Sequence, residues 1–337
     1  MRNAVVAQSG GPSPVINASL QGVIDACRQF DGIDTVYASR NGVLGILQEE
    51  LFDTTGIPDE EIALLRSTPS AGVIGSCRYK LHDHQEEDMH RIIDVFTAHD
   101  VKYFFYIGGN DSMDTADKVA RLAEQRGVEL IVTGIPKTID NDVGDPEFQL
   151  IDHTPGYGSA ARYWAYLTQI LDEENRAMYT SERVCVIQAM GRKAGFIPAA
   201  ARLADPGRNM PLQLYLAESS QTLESLTDNV FDQVKREGRS IVVVSEGFDV
   251  GSLGHARDAF GHIEYGASKT TVAQVVVNHL NEAGFPVHGY ATGQVPGVLQ
   301  RSNAVFASPV DIEEAYQLGC KAVEIGVSGD TGCMATI

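Results

Sequence analysis

One join, used repeatedly, constrains this chain more than anything else: a strand-like apolar run, two adjacent glycines, then a segment of helical periodicity. Residues 3–8 (NAVVAQ) lead into Ser9, Gly10, Gly11 and Pro12, and then into a helix pattern carrying Ile16, Leu20, Val23, Ile24 and Cys27 on one face. Residues 101–107 (VKYFFYI) lead into Gly108, Gly109, Asn110, Asp111 and Ser112, and 113–126 is again helix-periodic. Further strands are expected at 33–38 and 129–133, with a short acidic helix around 58–66 and another ending near His99. Strands alternating with helices in this way form a parallel sheet covered on both faces. The glycine turns have a second consequence. Bare backbone N–H groups at a helix N-terminus can approach an anion, although a pair of glycines is also what an ordinary strand-to-helix connection contains.

The strand at 129–133 runs into PKTIDND (136–142), which gathers Lys137, Asp140 and Asp142 into one short turn. Open α/β sheets bind ligands at the carboxyl ends of their strands. A cation beside two carboxylates suits phosphoryl transfer, which needs a base for the acceptor hydroxyl and positive charge on the moving group. A polar loop with one local ion pair has the same composition.

Charge narrows the ligand class. The 337 residues include 26 Lys+Arg against 45 Asp+Glu, a formal net charge of −19. Such a surface repels nucleic acid and anionic membrane. A small phosphate compound remains compatible if the few cations converge. The length suits two domains or one large α/β unit. The five cysteines are odd in number and contain no CxxC pair, so they read as reduced thiols of a cytoplasmic protein. No signal peptide and no membrane span is expected.

The remaining chain continues the pattern. A long helix is expected from about 155 to 175, strands at 183–189, 212–217, 240–245 and 285–291, and helices at 194–204, 222–237, 268–283 and 311–326. Residues 249–267, rich in Gly, His and Asp, read as a mobile loop. His82, His84 and His90 allow a metal reading, but no second ligand pair at a known spacing accompanies them, and a solvated acidic loop explains them as well. The chain ends in a strand-like run to Ile337 with no terminal helix or polar tail, so a further C-terminal segment is expected.

Several phosphate motifs are absent. There is no GxxxxGK[ST]; the nearest approach, at 261–269, displaces the lysine and follows no strand. No GxGxxG ends a strand, which weighs against a dinucleotide site, and the protein-kinase motifs are missing. What the chain does carry is SGGPSPVINASLQGV (9–23), GSCR (75–78), IGGNDSMDTA (107–116), PKTIDND (136–142), TPGYGSAA (154–161), MGR (190–192), SEG (245–247) and GVLQR (297–301). In this order, these segments resemble the phosphofructokinase family, in its pyrophosphate-dependent branch, over nearly the whole chain.

The resemblance implies two doubly wound, Rossmann-like α/β domains facing a cleft, with boundaries expected at 1–145 plus 292–337 for the phosphoryl-donor domain and 146–291 for the sugar-phosphate domain. It implies reversible, Mg²⁺-dependent phosphoryl transfer from pyrophosphate to the 1-hydroxyl of fructose 6-phosphate, a step of glycolysis, in a homodimer or homotetramer. Position by position, Asp140 matches the general base, Asp142 a supporting carboxylate, and Thr138 with Ile139 a substrate contact. Met190, Gly191, Arg192 and Glu246 match the sugar-phosphate pocket. Arg183 and Arg301 match 6-phosphate contacts, with Arg183 reaching across a subunit interface. Gly11, Arg78 and Lys137 match the pyrophosphate side.

Two positions mark the donor. ATP-using members resemble GGDGS and PGTIDND, with glycine where this chain has Asp111 and Lys137. Asp111 would obstruct the path of an ATP α-phosphate by bulk and like charge, and Lys137 would supply charge to the transferring phosphoryl. The other reading is that the two simply pair with each other. Departures from the family pattern also occur. Asn110 stands where many members have a Mg²⁺-binding Asp, which directs the metal to Asp111 with Asn110 contributing only a carbonyl oxygen. Val298 replaces an aromatic or imidazole group, and no arginine lies near Thr292. These leave an ATP-dependent kinase, a sedoheptulose 7-phosphate acceptor, or a non-catalytic sugar-phosphate-binding paralogue as alternatives.

Overall fold

A computed structural model describes residues 2–68, 73–82, 84–144, 151–251 and 270–337. The loop expected at 249–267 lies outside the described residues from 252 onward, as does the whole of the stretch at 261–269. In chain order the elements are β1 (Arg2–Gln8), α1 (Ile16–Arg28), β2 (Ile33–Ser39), α2 (Val43–Gln48), β3 (Leu51–Asp53), α3 (Asp59–Ala63), α4 (Glu86–Ala98), β4 (Val101–Gly108), α5 (Asn110–Gln125) and β5 (Ile131–Pro136). There follow α6 (Tyr157–Met178), β6 (Glu182–Ala189), α7 (Phe196–Ala200), β7 (Leu212–Tyr215), α8 (Leu223–Glu237), β8 (Ser240–Ser245), α9 (Val272–Ala283), β9 (Tyr290–Gln294), α10 (Pro309–Ser328) and β10 (Cys333–Met334). They form two compact units, Met1–Ser159 with Arg301–Ile337, and Ala160–Gln300.

The first unit is built on a six-stranded sheet in the order β10-β5-β4-β1-β2-β3. Side chains alternate between its faces. Ala4, Val6, Tyr103, Phe105 and Ile107 pack with Leu20, Val23 and Ile24 of α1 and Leu318 and Val323 of α10. Val5, Ala7, Phe104 and Tyr106 pack on the other side with Ile92, Ile93 and Phe96 of α4 and Val119 of α5. That double covering is why β4 reads as an apolar run from Tyr103 to Ile107. Each fully buried Phe contributes about 1.5–3 kcal/mol. The two helices on the first face touch backbone to backbone. A Cβ at Gly22 would stand 2.1 Å from the Tyr316 carbonyl oxygen, and one at Gly319 would stand 2.3 Å from that of Ser19.

The second unit holds a four-stranded sheet in the order β7-β8-β6-β9, with every neighbouring pair parallel. Val184, Val186, Val242, Val244 and Tyr215 bury one face against Leu226, Val230 and Val234 of α8 and Val272, Val276 and Leu280 of α9.

Three expectations are corrected. The stretch 39–70 was expected to hold only a loop and one acidic helix, yet it forms α2 and β3 as well. Glu49 takes a left-handed conformation, φ 58°, which reverses the chain after α2. β3 then returns antiparallel to β2, so the first sheet is mixed at that edge and not wholly parallel. The strand expected at 285–291 begins only at Tyr290. Pro286 offers no amide proton and Gly289 has φ 144°, both poor strand residues. Since β9 pairs with β6, residues up to Gln300 group with the second unit. Among the described residues, no helix is long and apolar enough to cross a membrane.

Candidate active site

Lys137 is the first residue after β5. Its amide donates to the Gly108 carbonyl at 2.8 Å, which places it across the exit of β4. Its side chain runs back beneath the turn after β1. The ammonium donates to the carbonyls of Ser9, at 3.2 Å, and Gly11, at 2.5 Å. The residue is only 2% exposed. Burial, helped by the neighbouring charges of Arg301 and Arg78, lowers its pKa to about 7 against the opposing pull of Asp140.

Local sequence explains why the turn accepts this cation. Gly10 has φ 77°, a left-handed conformation that a side chain would disfavour, and it lets the backbone turn sharply. The Gly10 amide donates to the Cys77 carbonyl at 2.8 Å, and Ser76 Oγ donates to the Gly10 carbonyl at 2.7 Å. These bonds draw GSCR (75–78), and with it Arg78, alongside the turn. Arg301 comes from the other side: a Cβ at Gly11 would stand 2.7 Å from its Nη1. A chain of net charge −19 has therefore gathered Arg78, Lys137 and Arg301 around Gly10 and Gly11.

The carboxylates follow on the same turn. Asp140 is 8% exposed, and its amide donates to Thr138 Oγ1 at 3.1 Å. Asn141 has φ 56°, and its Oδ1 accepts from the Thr154 amide at 2.8 Å. The Thr138 amide donates to the Pro155 carbonyl at 3.2 Å, and Thr138 forms a parallel bridge with Gly156. Ile139 is buried beside them. Asn110 Nδ2 donates to the Asp142 carbonyl at 3.3 Å, which connects the second glycine turn to this one. Asp111, in the first turn of α5, forms an ion pair with Lys80 at 2.8 Å.

In the second unit the expected residues assemble at the ends of β6 and β8. Gly191 has φ 128° and Arg192 φ 52°. The Arg192 amide donates to Glu246 Oε1 at 2.9 Å, and the Glu246 amide donates to the Ala189 carbonyl at 2.8 Å. A Cβ at Gly247 would stand 2.0 Å from the Arg192 carbonyl oxygen, so the two motifs fit only because glycine is there. The Met190 amide donates to Gln300 Oε1 at 3.1 Å, and the same oxygen accepts from Trp164 Nε1 at 2.9 Å. Val298 is exposed on the turn before it. Arg183 donates through Nε to the His288 carbonyl at 2.8 Å and through Nη1 to the Gly238 carbonyl at 3.0 Å.

The first unit thus brings together Gly11, Arg78, Asn110, Asp111, Lys137, Thr138, Ile139, Asp140, Asp142 and Arg301, and the second brings together Met190, Gly191, Arg192 and Glu246. Arg183 lies apart from that group, on carbonyls near the opposite ends of β8 and β9. Sequence reading missed Lys80, Asn141, Gln300 and Asp311. Asn141 lay inside a quoted motif, whereas Lys80 and Gln300 carried no local signal. Asp311 sits three residues after Ser308, where it reads as part of its own helix cap.

The Phosphofructokinase family model matches residues 3–326. The chain is 41% identical over 345 residues to a pyrophosphate–fructose 6-phosphate 1-phosphotransferase of Halomonas elongata, covering 99% of this chain and 79% of that protein. It is 41% identical over 347 residues to the protein of that name from Methylococcus capsulatus, covering 100% and 79%. The crystal structure of pyrophosphate-dependent phosphofructokinase from Nitrosospira multiformis superposes with a TM-score of 0.84 at 40% identity, covering 98% of this chain and 78% of the other. The chain spans about four-fifths of the length of these relatives, carries the family's motifs in order, and belongs to the phosphofructokinase family.

Proposed function

We propose that this chain transfers a phosphoryl group reversibly between pyrophosphate and the 1-hydroxyl of fructose 6-phosphate, giving fructose 1,6-bisphosphate and phosphate. The observation that carries this reading is the buried Lys137 ammonium on the Ser9 and Gly11 carbonyls, with Arg78 and Arg301 beside it. Cations held that close repel one another and stay together at least cost when an anion joins them. The names of the relatives supply the chemistry of that anion and of its acceptor.

In this reading Asp140 takes the proton from the 1-hydroxyl as its oxygen attacks the phosphoryl phosphorus. Its position three residues after Lys137 sets base and cation on one rigid turn, so both are in place before the reaction. Lys137 stabilises charge on the transferring group and on the departing phosphate, with Gly11, Arg78 and Asp142 around them. Thr138 and Ile139 border the reacting group. Met190, Gly191, Arg192, Glu246, Val298 and Arg301 hold the sugar phosphate, and Arg183 acts on the 6-phosphate from a neighbouring subunit of a homodimer or homotetramer. Asp111 excludes ATP.

Mg²⁺ fits the residues present. Asp111 offers a carboxylate and Asn110 a carbonyl oxygen, and the amide nitrogen of Asn110 is the side already donating to Asp142. An all-oxygen pair suits a hard cation that binds through one or two protein oxygens together with substrate phosphates. When bound, the ion neutralises pyrophosphate charge. A place in glycolysis, in the cytoplasm, goes with this reading and with the five free cysteines.

The experiment is a donor test. The protein is given Mg²⁺ and fructose 6-phosphate with either pyrophosphate or ATP, and fructose 1,6-bisphosphate is followed. Turnover with pyrophosphate alone is expected. Turnover with ATP alone would overturn the donor assignment. Turnover of sedoheptulose 7-phosphate but not fructose 6-phosphate would overturn the acceptor, and binding without turnover would overturn the enzyme.

A further inference from the structure

Asp311 is almost completely buried, 1% exposed, near the start of α10. Such a carboxylate normally serves its own helix or a charged partner. This one serves another helix. Oδ1 accepts from the Gly156 amide at 2.8 Å, and Oδ2 accepts from the Ser159 amide at 2.8 Å and from Ser159 Oγ. The Ser308 amide donates back to Ser159 Oγ at 3.0 Å. Both carboxylate oxygens are therefore spent on the first turn of α6, where amide protons lack helical partners.

The segment so held is the one that holds the turn bearing Asp140. The Thr154 amide donates to Asn141 Oδ1, the Pro155 carbonyl accepts from the Thr138 amide, and Gly156 bridges Thr138. The fit at Gly156 is close: with φ 110°, a Cβ there would stand 3.1 Å from the Thr138 carbonyl oxygen. Residues 154–156 thus brace 138–141 on one side and hang from Asp311 on the other.

The rest of α10 runs against α1 at the glycine contacts of Gly22 and Gly319, and α1 begins just after the turn whose Gly11 carbonyl accepts from Lys137. The contacts close a ring: Lys137 to Gly11, through α1 to α10, from Asp311 to Gly156, and from Thr138 back to Lys137.

We propose that Asp311 is a positioning residue for phosphoryl transfer, fixing the Lys137–Asp142 turn relative to the glycine turn after β1 through its bonds to Gly156 and Ser159. The proposal rests on the reaction given above. Asp311 touches no reacting atom in it. A chain of short bonds acting on the turn that carries both cation and base should affect the approach of the reacting atoms more than ground-state binding, and a misplacement of ~1 Å costs about 100-fold in rate.

Two variants test it. In Asp311→Asn an amide NH₂ faces donors that need an acceptor, so one side of the clamp opens with little change of shape. In Ser159→Ala only the hydroxyl bonds are lost. On folded protein, kcat should fall about 10- to 100-fold for Asp311→Asn and less for Ser159→Ala, with KM for pyrophosphate and fructose 6-phosphate within about threefold. The double variant should lose less than the product of the two single losses, because both variants remove the Asp311–Ser159 Oγ contact.

Native-state hydrogen exchange supplies a readout that needs no turnover. The Thr138 and Thr154 amides should lose protection in Asp311→Asn while those of β4 keep theirs. Lowered thermal stability with kcat and these amides unchanged would overturn the proposal. If Asp311→Asn does not fold, Ser159→Ala decides by the same two measurements. A wild-type protein that is inactive with pyrophosphate would overturn the reaction, and exchange would still judge the clamp.

Discussion

Lys137 Nζ lies 2.5 Å from the carbonyl oxygen of Gly11, so the cation at the end of β5 is held on the backbone of the turn after β1. A carbonyl can accept from an ammonium but contributes no full charge. Burial and the Arg301 charge lower the Lys137 pKa to about 7, with Asp140 opposing and Arg78 adding. In the proposed reaction pyrophosphate would add negative charge beside it and restore the proton. We expect proton uptake when pyrophosphate binds at pH 8, little uptake at pH 6, and none in Lys137→Met. Calorimetry in buffers of different ionisation enthalpy reads this directly. Equal uptake in Lys137→Met would remove Lys137 from the pyrophosphate site.

The same group ties stability to pH. Its folded pKa of about 7 lies below the ordinary lysine value, 10.5, so the unfolded chain binds more protons between those limits. Stability from this group therefore rises with pH across the window, and the cost of burying the charge is fully present below it. The melting temperature of the wild type should gain on that of Lys137→Met as pH moves from 6.5 to 9 by about the rise that one titrating group gives. Parallel curves would show that Lys137 keeps an ordinary pKa.

Asp140→Asn keeps the shape of the turn and removes the proposed base. Steady-state kinetics should show kcat lower by about 10²–10⁴-fold with both KM values little changed, the pattern of a group that acts only in the transition state. A loss below tenfold would exclude Asp140 as the base.

Much of this was legible in the sequence, for identifiable reasons. β1, β4, β6 and β8 are buried on both faces and so announce themselves as apolar runs; the glycines after β1 and β4 and the PKTIDND turn sit where those runs stop. Other features depend on residues distant in sequence. Lys80 meets Asp111 only because 75–78 is bonded to the Gly10 turn. Gln300 matters because Trp164 and Met190 both reach it. Asp311 gave no signal because nothing local reveals that its carboxylate faces α6. Arg301, expected on the sugar phosphate, packs against Gly11 and so stands beside Lys137 as well. β3 was overlooked because a three-residue edge strand has too short a pattern to read.

Donor choice should depend on Asp111 and Lys137 together. On the proposed reading, replacing both by glycine removes bulk and charge that would oppose an ATP α-phosphate, and it leaves Lys80 without the carboxylate it pairs with. Pyrophosphate turnover should fall by at least about 10²–10³-fold, the scale of losing the Lys137 contact in the transition state alone. ATP turnover should rise above the wild-type level. Unchanged donor preference in the double variant would mean that other residues set it.

Gly10 and Gly11 are neighbours with different reasons for being glycine, and alanine at each separates the two. Gly10 has φ 77°, so Gly10→Ala forces a left-handed conformation that costs about 1–2 kcal/mol. Gly11 lies outside that region, so Ala is allowed by the backbone, but its Cβ would stand 2.7 Å from Arg301 Nη1. The end of an arginine side chain can swing aside without unfolding anything, and it then no longer faces the turn. Gly10→Ala should lower the melting temperature. Gly11→Ala should leave it nearly unchanged and still cut kcat/KM by about tenfold or more, the cost of misplacing one charged group. Calorimetry and steady-state kinetics on the pair distinguish the two roles. A Gly11→Ala enzyme with wild-type kinetics would show that the position of Arg301 against the turn contributes nothing to turnover.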